Sequence, residues 1–279
     1  MSLLLTQPII STDDHTGGDP PLQLIASPST NVIDVAIDKV IKPMPKTKIS
    51  YADRAWNVIH GCQYFSRGCV NCWADGMAYR HKGRNGYDGN DPFRVTLRPD
   101  RLDQPLKLRK PCTIFISPMG DIMHPSVPTS FLLEVLERVT QTPHLSYLML
   151  TKRAERLIEI DQHITWPSNL LLGVTVEAAE YQPRIDILRE TKAAAKVLSI
   201  EPLLGPIPNL NLDSIDGVIV GGEAAPKFRK MDPDWARDIR DQCVSSSTKY
   251  YFKQFSGKSP KALGRTLDGR IWDEMPWPS

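Results

Sequence analysis

A full or partial parallel (β/α) barrel of six to seven strands, preceded by an extended N-terminal arm, is the architecture that this sequence predicts. Three observations point to it. From residue 50 onward, short runs of β-branched, aliphatic and aromatic residues alternate with stretches of amphipathic helical pattern. The runs are apolar throughout, as in parallel strands covered on both faces. Nearly every run ends in polar or ionisable residues, and a parallel barrel gathers such ends on one face. A doubly wound open sheet is the alternative arrangement of the same βα units.

Residues 1–46 are rich in Pro, Ser, Thr and Asp, with one short apolar stretch at 31–38, and read as an arm. Residues 47–279 form the barrel domain. The predicted strands are Arg54–Val58, Thr113–Ser117, Ser146–Leu150, Leu170–Val176, Lys196–Ile200, Gly217–Val220 and Lys249–Lys253. Between them the 3.6-residue pattern predicts helices over Asn71–His81, Ser130–Gln141, Ala154–Gln162, Pro183–Glu190 and Pro233–Ser245. Prolines open the last two, where the missing N–H costs nothing.

The polar strand ends are Ser117 to Asp121, Thr151-Lys152-Arg153, Thr175 with Glu177, Ser199 with Glu201, Gly221-Gly222-Glu223, and Lys253-Gln254. The loop after the first strand carries three of the five cysteines within eleven residues: Cys62, Cys69 and Cys72. An odd cysteine count with tight clustering suits a reducing compartment and a metal site better than a disulfide framework. The spacing serves either an iron–sulfur cluster or a zinc ion with His60 as fourth ligand. Cys112 and Cys243 read as ordinary buried cysteines.

The 279 residues are 41% hydrophobic, which suffices for one large core. No apolar run reaches the ~18 residues of a membrane span, and the N-terminus lacks the pattern of a signal peptide. A cytoplasmic setting is the expectation. Net charge is only +2, so nucleic-acid binding would need a local patch. Candidates are residues 93–110, with Arg94, Arg98, Arg101, Lys107, Arg109 and Lys110 against Asp100 and Asp103, together with Lys39, Lys42, Lys46, Lys48, Lys227, Arg229 and Lys230. Solvated faces are the alternative use of such runs.

A three-cysteine loop after the first strand of a βα barrel resembles the radical S-adenosylmethionine (radical SAM) superfamily. The usual spacing there is Cys-x3-Cys-x2-Cys, whereas this chain has Cys-x6-Cys-x2-Cys, with Asn71 where an aromatic usually precedes the last cysteine. Ile116–Asp121, Leu150–Leu157, Gln182–Leu188 and Leu198–Leu204 are similar to the strand ends of the spore photoproduct lyase family, radical SAM enzymes acting on DNA thymines. Residues 50–276 resemble more closely a phage- and bacteria-associated three-cysteine family, through Trp56-Asn57, Gly61-Cys62, Gly68-Cys69, Cys72-Trp-Ala74, Leu150-Thr-Lys-Arg153, Ser199–Gly205, Val218–Glu223 and Leu267–Arg270.

The resemblance implies that Cys62, Cys69 and Cys72 hold a [4Fe-4S] cluster whose fourth iron chelates S-adenosyl-L-methionine. It implies an enzyme of isomerase or lyase type, fed electrons by a reductase, that generates a 5′-deoxyadenosyl radical. A nucleobase or nucleotide is the implied substrate, a hypermodified thymine of phage DNA among them, and the host cytoplasm the implied setting. Ser117 and Asp121 match the place that contacts the methionine amino group. Lys152 and Arg153 are candidates for the cofactor carboxylate or a substrate phosphate. Glu177 and Glu201 are candidates for acid–base work or for ribose hydroxyls, with ion pairing to Lys152 or Arg153 as the alternative. Glu223 and Lys152 complete the catalytic candidates. Tyr64, Phe65 and Trp73 are candidates for stacking on adenine or a flipped base, or for the core. A zinc-stapled nucleic-acid- or partner-binding module and an electron-transfer iron–sulfur protein are the competing readings.

Overall fold

The computed structural model describes residues 42–259 and 262–278, so most of the predicted arm lies outside the described residues. Seven parallel strands form the main sheet. They are β1 (Arg54–Trp56), β4 (Thr113–Ile116), β5 (Ser146–Thr151), β6 (Leu170–Thr175), β7 (Ala195–Ile200), β8 (Gly217–Gly221) and β9 (Lys249–Gln254). They pair in sequence order, β1-β4-β5-β6-β7-β8-β9, and the sheet curls into a half-barrel. Two-residue ribbons flank it: β2 (Ile59–His60) with β3 (Thr96–Leu97), and β10 (Thr266–Leu267) with β11 (Arg270–Ile271).

Of five α-helices among the described residues, α1 (Trp73–Arg80) follows the cysteine loop, and α2 (Thr129–Thr140), α3 (Glu155–Asp161), α4 (Pro183–Glu190) and α5 (Pro233–Ser245) pack into the larger core on the convex face. Pro183 and Pro233 open their helices, and the Asp232 side chain caps α5 by accepting from the Asp234 N–H. Each predicted strand and helix of the barrel domain is present; α4 and α5 have the predicted bounds, and the others differ by one or two residues at one end or both.

Strand parity divides the core in two. Ile114, Ile116, Tyr147, Met149, Leu172, Val174, Leu198, Val218 and Phe252 face the helices in the larger cluster. The concave face has its own cluster, in which β4 to β9 contribute one residue each: Phe115, Leu148, Leu171, Val197, Ile219 and Tyr251, joined by Tyr51. A flat sheet would leave those six side chains in a row on an open face; curvature brings them together. Above this apolar floor most concave positions become small or polar, Ser117, Gly173, Thr175, Ser199 and Gly221, with Leu150 filling the space over Gly173.

The exposed edge of β1 is covered by residues 42–49. Ala55 N–H donates to Pro45 O (3.3 Å) and Thr47 N–H to Asp53 O (3.0 Å). A paired edge is closed to strand addition by another chain.

Candidate active site

The cysteine loop crosses the C-terminal rim of the half-barrel. Gly61 starts it at φ +80°, and a side chain there would strike the Phe93 and Arg94 carbonyls, so the chain needs glycine to leave β2. Its N–H bonds Met119 O (2.9 Å), fixing the loop to the turn after β4. A single turn at Arg67–Cys69 follows, and Cys72 then caps α1. All three thiols are free and half-buried. Burial pushes the Cys62 thiol up, reinforced by Asp121 and opposed by Arg153. Burial likewise raises Cys72, against the pull of the Asp75 and Ala74 amides and the Lys152 ammonium. Cys243 is buried and Cys112 half-buried, both away from the loop.

Three buried acids hold the loop, one at each turn. Asp121, in the turn after β4, accepts from Thr151 Oγ1 (2.8 Å), Met123 N–H (3.0 Å) and Arg153 Nη1 (2.9 Å). Arg153 in turn donates to Cys62 Sγ (3.4 Å) and Gln63 O (3.2 Å). Glu177, two residues beyond β6, is fully buried. It accepts from Arg184 Nη1 (2.8 Å) and from the Ser66 hydroxyl, and the Lys152 ammonium lies 3.6 Å away. Ser66 O accepts the Cys69 N–H (2.9 Å). Glu223, two residues beyond β8, accepts from Asn71 Nδ2 (2.8 Å) and from Arg229 N–H (2.7 Å) and its guanidinium. Arg229 Nη1 reaches across to Arg67 O (2.9 Å). Burial pushes the Glu223 carboxyl up, but the Arg229 and Asn71 bonds outweigh it and hold the group below the ordinary carboxylate range.

The site residues proposed from sequence thus lie along one rim, with partners that spacing alone does not reveal. Asp121 pairs with Arg153 and Glu177 chiefly with Arg184. Glu201, at the end of β7, pairs with Lys253 (2.8 Å) and accepts from Tyr51 OH (3.2 Å). Lys152 keeps 22% side-chain exposure beside Glu177 and is the rim cation with the loosest pairing. Ser66, Asn71 and Arg184 are members that sequence reasoning missed, and Arg229, a basic-patch candidate in the sequence, turns inward to Glu223 instead. They sit 111, 152, 7 and 6 residues from their acids, and only the folded sheet joins the first two to theirs.

Ser117, directly after β4, is buried with φ +50°, and its hydroxyl has no partner among the described residues. A serine held in the left-handed region with an orphaned hydroxyl is the kind of local cost found at ligand sites. Tyr64 (66% exposed), Phe65 (42%) and Trp73 (45%) are open to solvent rather than in the core. Arg153 and Arg184 both lie over the Phe65 ring, at 4.8 and 5.4 Å.

Among the described residues, no three His, Cys, Asp or Glu side chains converge closely enough to enclose a single metal ion. His60 is turned to other use: its Nε2 faces Arg101 Nη1 (2.8 Å) and its ring stacks on Tyr87 (4.4 Å). Burial, aided by Arg101 and Arg98, holds it down to about 3. Three free thiols on one anchored loop suit an iron–sulfur cluster, where each sulfur takes a different iron and need not share one centre. The orphaned Ser117 hydroxyl on the same rim suits a polar ligand beside it. No described helix is long and apolar enough to cross a membrane.

No curated protein matches the sequence. Among solved structures, the chain is similar to a spore photoproduct lyase double mutant with bound AdoMet and dinucleoside spore photoproduct (12% identity, TM-score 0.47). It is also similar to the lyase complexed with dinucleoside spore photoproduct (12%, TM-score 0.45) and to a tyrosine-to-phenylalanine mutant of it (13%, TM-score 0.46). The matches cover 74%, 74% and 73% of this chain and 64% of each lyase chain, so this chain spans under two-thirds of their length. The model of the family DUF5131, described as a protein of unknown function, matches residues 46–276, and the chain belongs to that family.

Proposed function

We propose that the chain is a radical SAM enzyme that modifies or rearranges a nucleobase or nucleotide. The observation that carries this reading is the loop itself: three free thiols at the C-terminal rim of a parallel half-barrel, each turn of the loop gripped by a buried acid. Cys62, Cys69 and Cys72 would hold three irons of a [4Fe-4S] cluster, leaving the fourth for S-adenosyl-L-methionine. When bound, that pair supplies one-electron cleavage of a carbon–sulfur bond and, through it, hydrogen-atom abstraction.

The chain's own residues bind and orient. The Ser117 hydroxyl has its hydrogen-bonding capacity unspent and is the first candidate for a polar group of the cofactor. Lys152 offers a charge to a carboxylate, and Glu201 a lone pair to a ribose hydroxyl. Phe65 and Trp73 offer exposed faces for stacking. Gly173, Thr175, Ser199 and Gly221 keep the concave face shallow enough to admit a ligand. The Phe115–Tyr251 floor closes it to water from below. A reductase supplies the electron, and a reducing cytoplasm, that of the host for a phage protein, keeps the thiols free. Rearrangement of an amino-acid adduct on a thymine methyl group of phage DNA is the specific reaction we put forward.

Anaerobic reconstitution with iron and sulfide, then dithionite and S-adenosyl-L-methionine, tests the reading. The expected product is 5′-deoxyadenosine, seen by mass spectrometry and lost in Cys69→Ala. Stoichiometric zinc with no iron uptake would overturn it.

A further inference from the structure

A cleft of about 820 Å³ opens beside the cysteine loop, between residues 42–49, the start of α1 and the turns that follow β1, β3 and β4. Among the described residues its charged lining is cationic: Lys42, Lys46, Arg98 and Arg101, with no aspartate or glutamate. The two lysines are exposed. The two arginines are fixed. Asp100 holds Arg98 through bonds of 2.9 and 2.7 Å. Arg101 donates to Asn57 O (3.1 Å), and its own carbonyl accepts the buried Trp56 indole N–H (2.8 Å).

A second observation points to a ligand. His60 lines the cleft and is only 2% exposed. Its Nε2 faces Arg101 Nη1, and a guanidinium can only donate, so Nε2 is the acceptor and the ring proton sits on Nδ1. Among the described residues Nδ1 has no partner. A buried N–H without an acceptor is costly, and such local cost is of the kind found beside ligand sites. Trp73, next to Cys72 in sequence, lines the same cleft and joins it to the loop.

We propose that this cleft holds a nucleotide phosphate, with Lys42 and Lys46 on the phosphate oxygens and Trp73 under the base. The inference rests on the reading of the site as one that acts on nucleotides, and it names the surface that presents them. It also gives residues 42–46 a second task beyond covering the β1 edge. A free nucleotide and a DNA strand offer the same chemistry here.

The test needs no cluster. The purified full chain is titrated, by fluorescence anisotropy over a salt series, with a labelled single-stranded oligothymidylate, and thymidine 5′-monophosphate and thymidine are used as competitors. Lys42→Ala/Lys46→Ala should weaken binding and lower the slope of log K against log salt by about 0.7 per lysine. Lys249→Ala, exposed at the opposite, N-terminal end of β9, should leave the slope unchanged. Tighter binding of the oligomer than of the monophosphate assigns a DNA strand, and the reverse assigns a free nucleotide. Equal competition by thymidine and its phosphate, or an unchanged slope in the Lys42/Lys46 variant, overturns the proposal. Because no iron and no S-adenosyl-L-methionine enter the assay, that failure stands apart from a failure to form 5′-deoxyadenosine.

Discussion

Replacing Glu177 by alanine separates an anchoring carboxylate from a catalytic one. Glu177 is fully buried and Arg184 keeps 7% of its side-chain exposure. Removing the carboxylate leaves a buried guanidinium with one remaining bond, to Thr175 O (2.7 Å), and its contact with the Tyr181 ring at 4.3 Å. Breaking a buried pair from one side costs about 3–5 kcal/mol. The Ser66 hydroxyl also loses its acceptor, at about 1–3 kcal/mol for an unsatisfied buried group. The two losses share one side chain and are not additive, so about 4 kcal/mol is the expected total. Glu177→Gln keeps the shape and an acceptor oxygen and should lose less than half of that. Arg184→Met on top of Glu177→Met should recover stability relative to Glu177→Met alone, since an apolar pair leaves no orphaned charge. Urea unfolding reads the stability, and iron bound per chain after anaerobic reconstitution reads the loop. Both should fall together in Glu177→Ala. Wild-type unfolding and full iron loading, with only turnover lost, would refute the anchoring argument and return Glu177 to the reacting groups.

Two further outcomes follow from the same geometry. In Gly68→Ala the new methyl would lie 2.5 Å from Glu177 Oε1 and 2.6 Å from its Cγ. The expected cost is about 1–3 kcal/mol, with a matching drop in iron loading; unchanged loading would show that the loop tolerates displacement at that turn. For Glu223 the direction is set by a lowered carboxyl pKa. Such a group adds stability that is complete above its unfolded value of about 4.3 and is lost as pH falls through the folded value. Thermal melts of the wild type should therefore weaken more steeply below about pH 4.3 than those of Glu223→Gln; parallel profiles would remove Glu223 from the acid-sensitive groups.

The sheet was largely legible in the sequence because parallel strands must be apolar on both faces. Leu170–Thr175, buried at every position, shows why such a run is hard to miss. The ribbons β2–β3 and β10–β11 were not legible, since two residues carry no period. Asp121, Glu177, Glu201 and Glu223 could be placed on one rim by strand order alone. Their partners could not: the contacts of Glu177 with Ser66 and of Glu223 with Asn71 depend on where the loop lands after the sheet has curled. Of the expected partners of the glutamates, Lys152 does lie 3.6 Å from Glu177, whereas Arg153 serves Asp121 and Lys253 serves Glu201. Neither of these last two pairings is written in local pattern.

The three anchoring acids rise from β4, β6 and β8, every second strand of the sheet. The loop therefore stands like a tripod whose feet are about 10 Å apart, twice the spacing of neighbouring strands. The span between its thiols is then gauged by how tightly the sheet is rolled, well below the loop itself. Gly173 lies in β6, packed between its neighbours, where an added methyl would press on Val197 O at 2.5 Å and on the Leu150 side chain at 2.6 Å. Flattening the roll there would splay the feet without touching a single cysteine. The loop sequence between the feet is freer to drift than the distances it spans, and a wide first interval of six residues is compatible with a tripod of fixed stance.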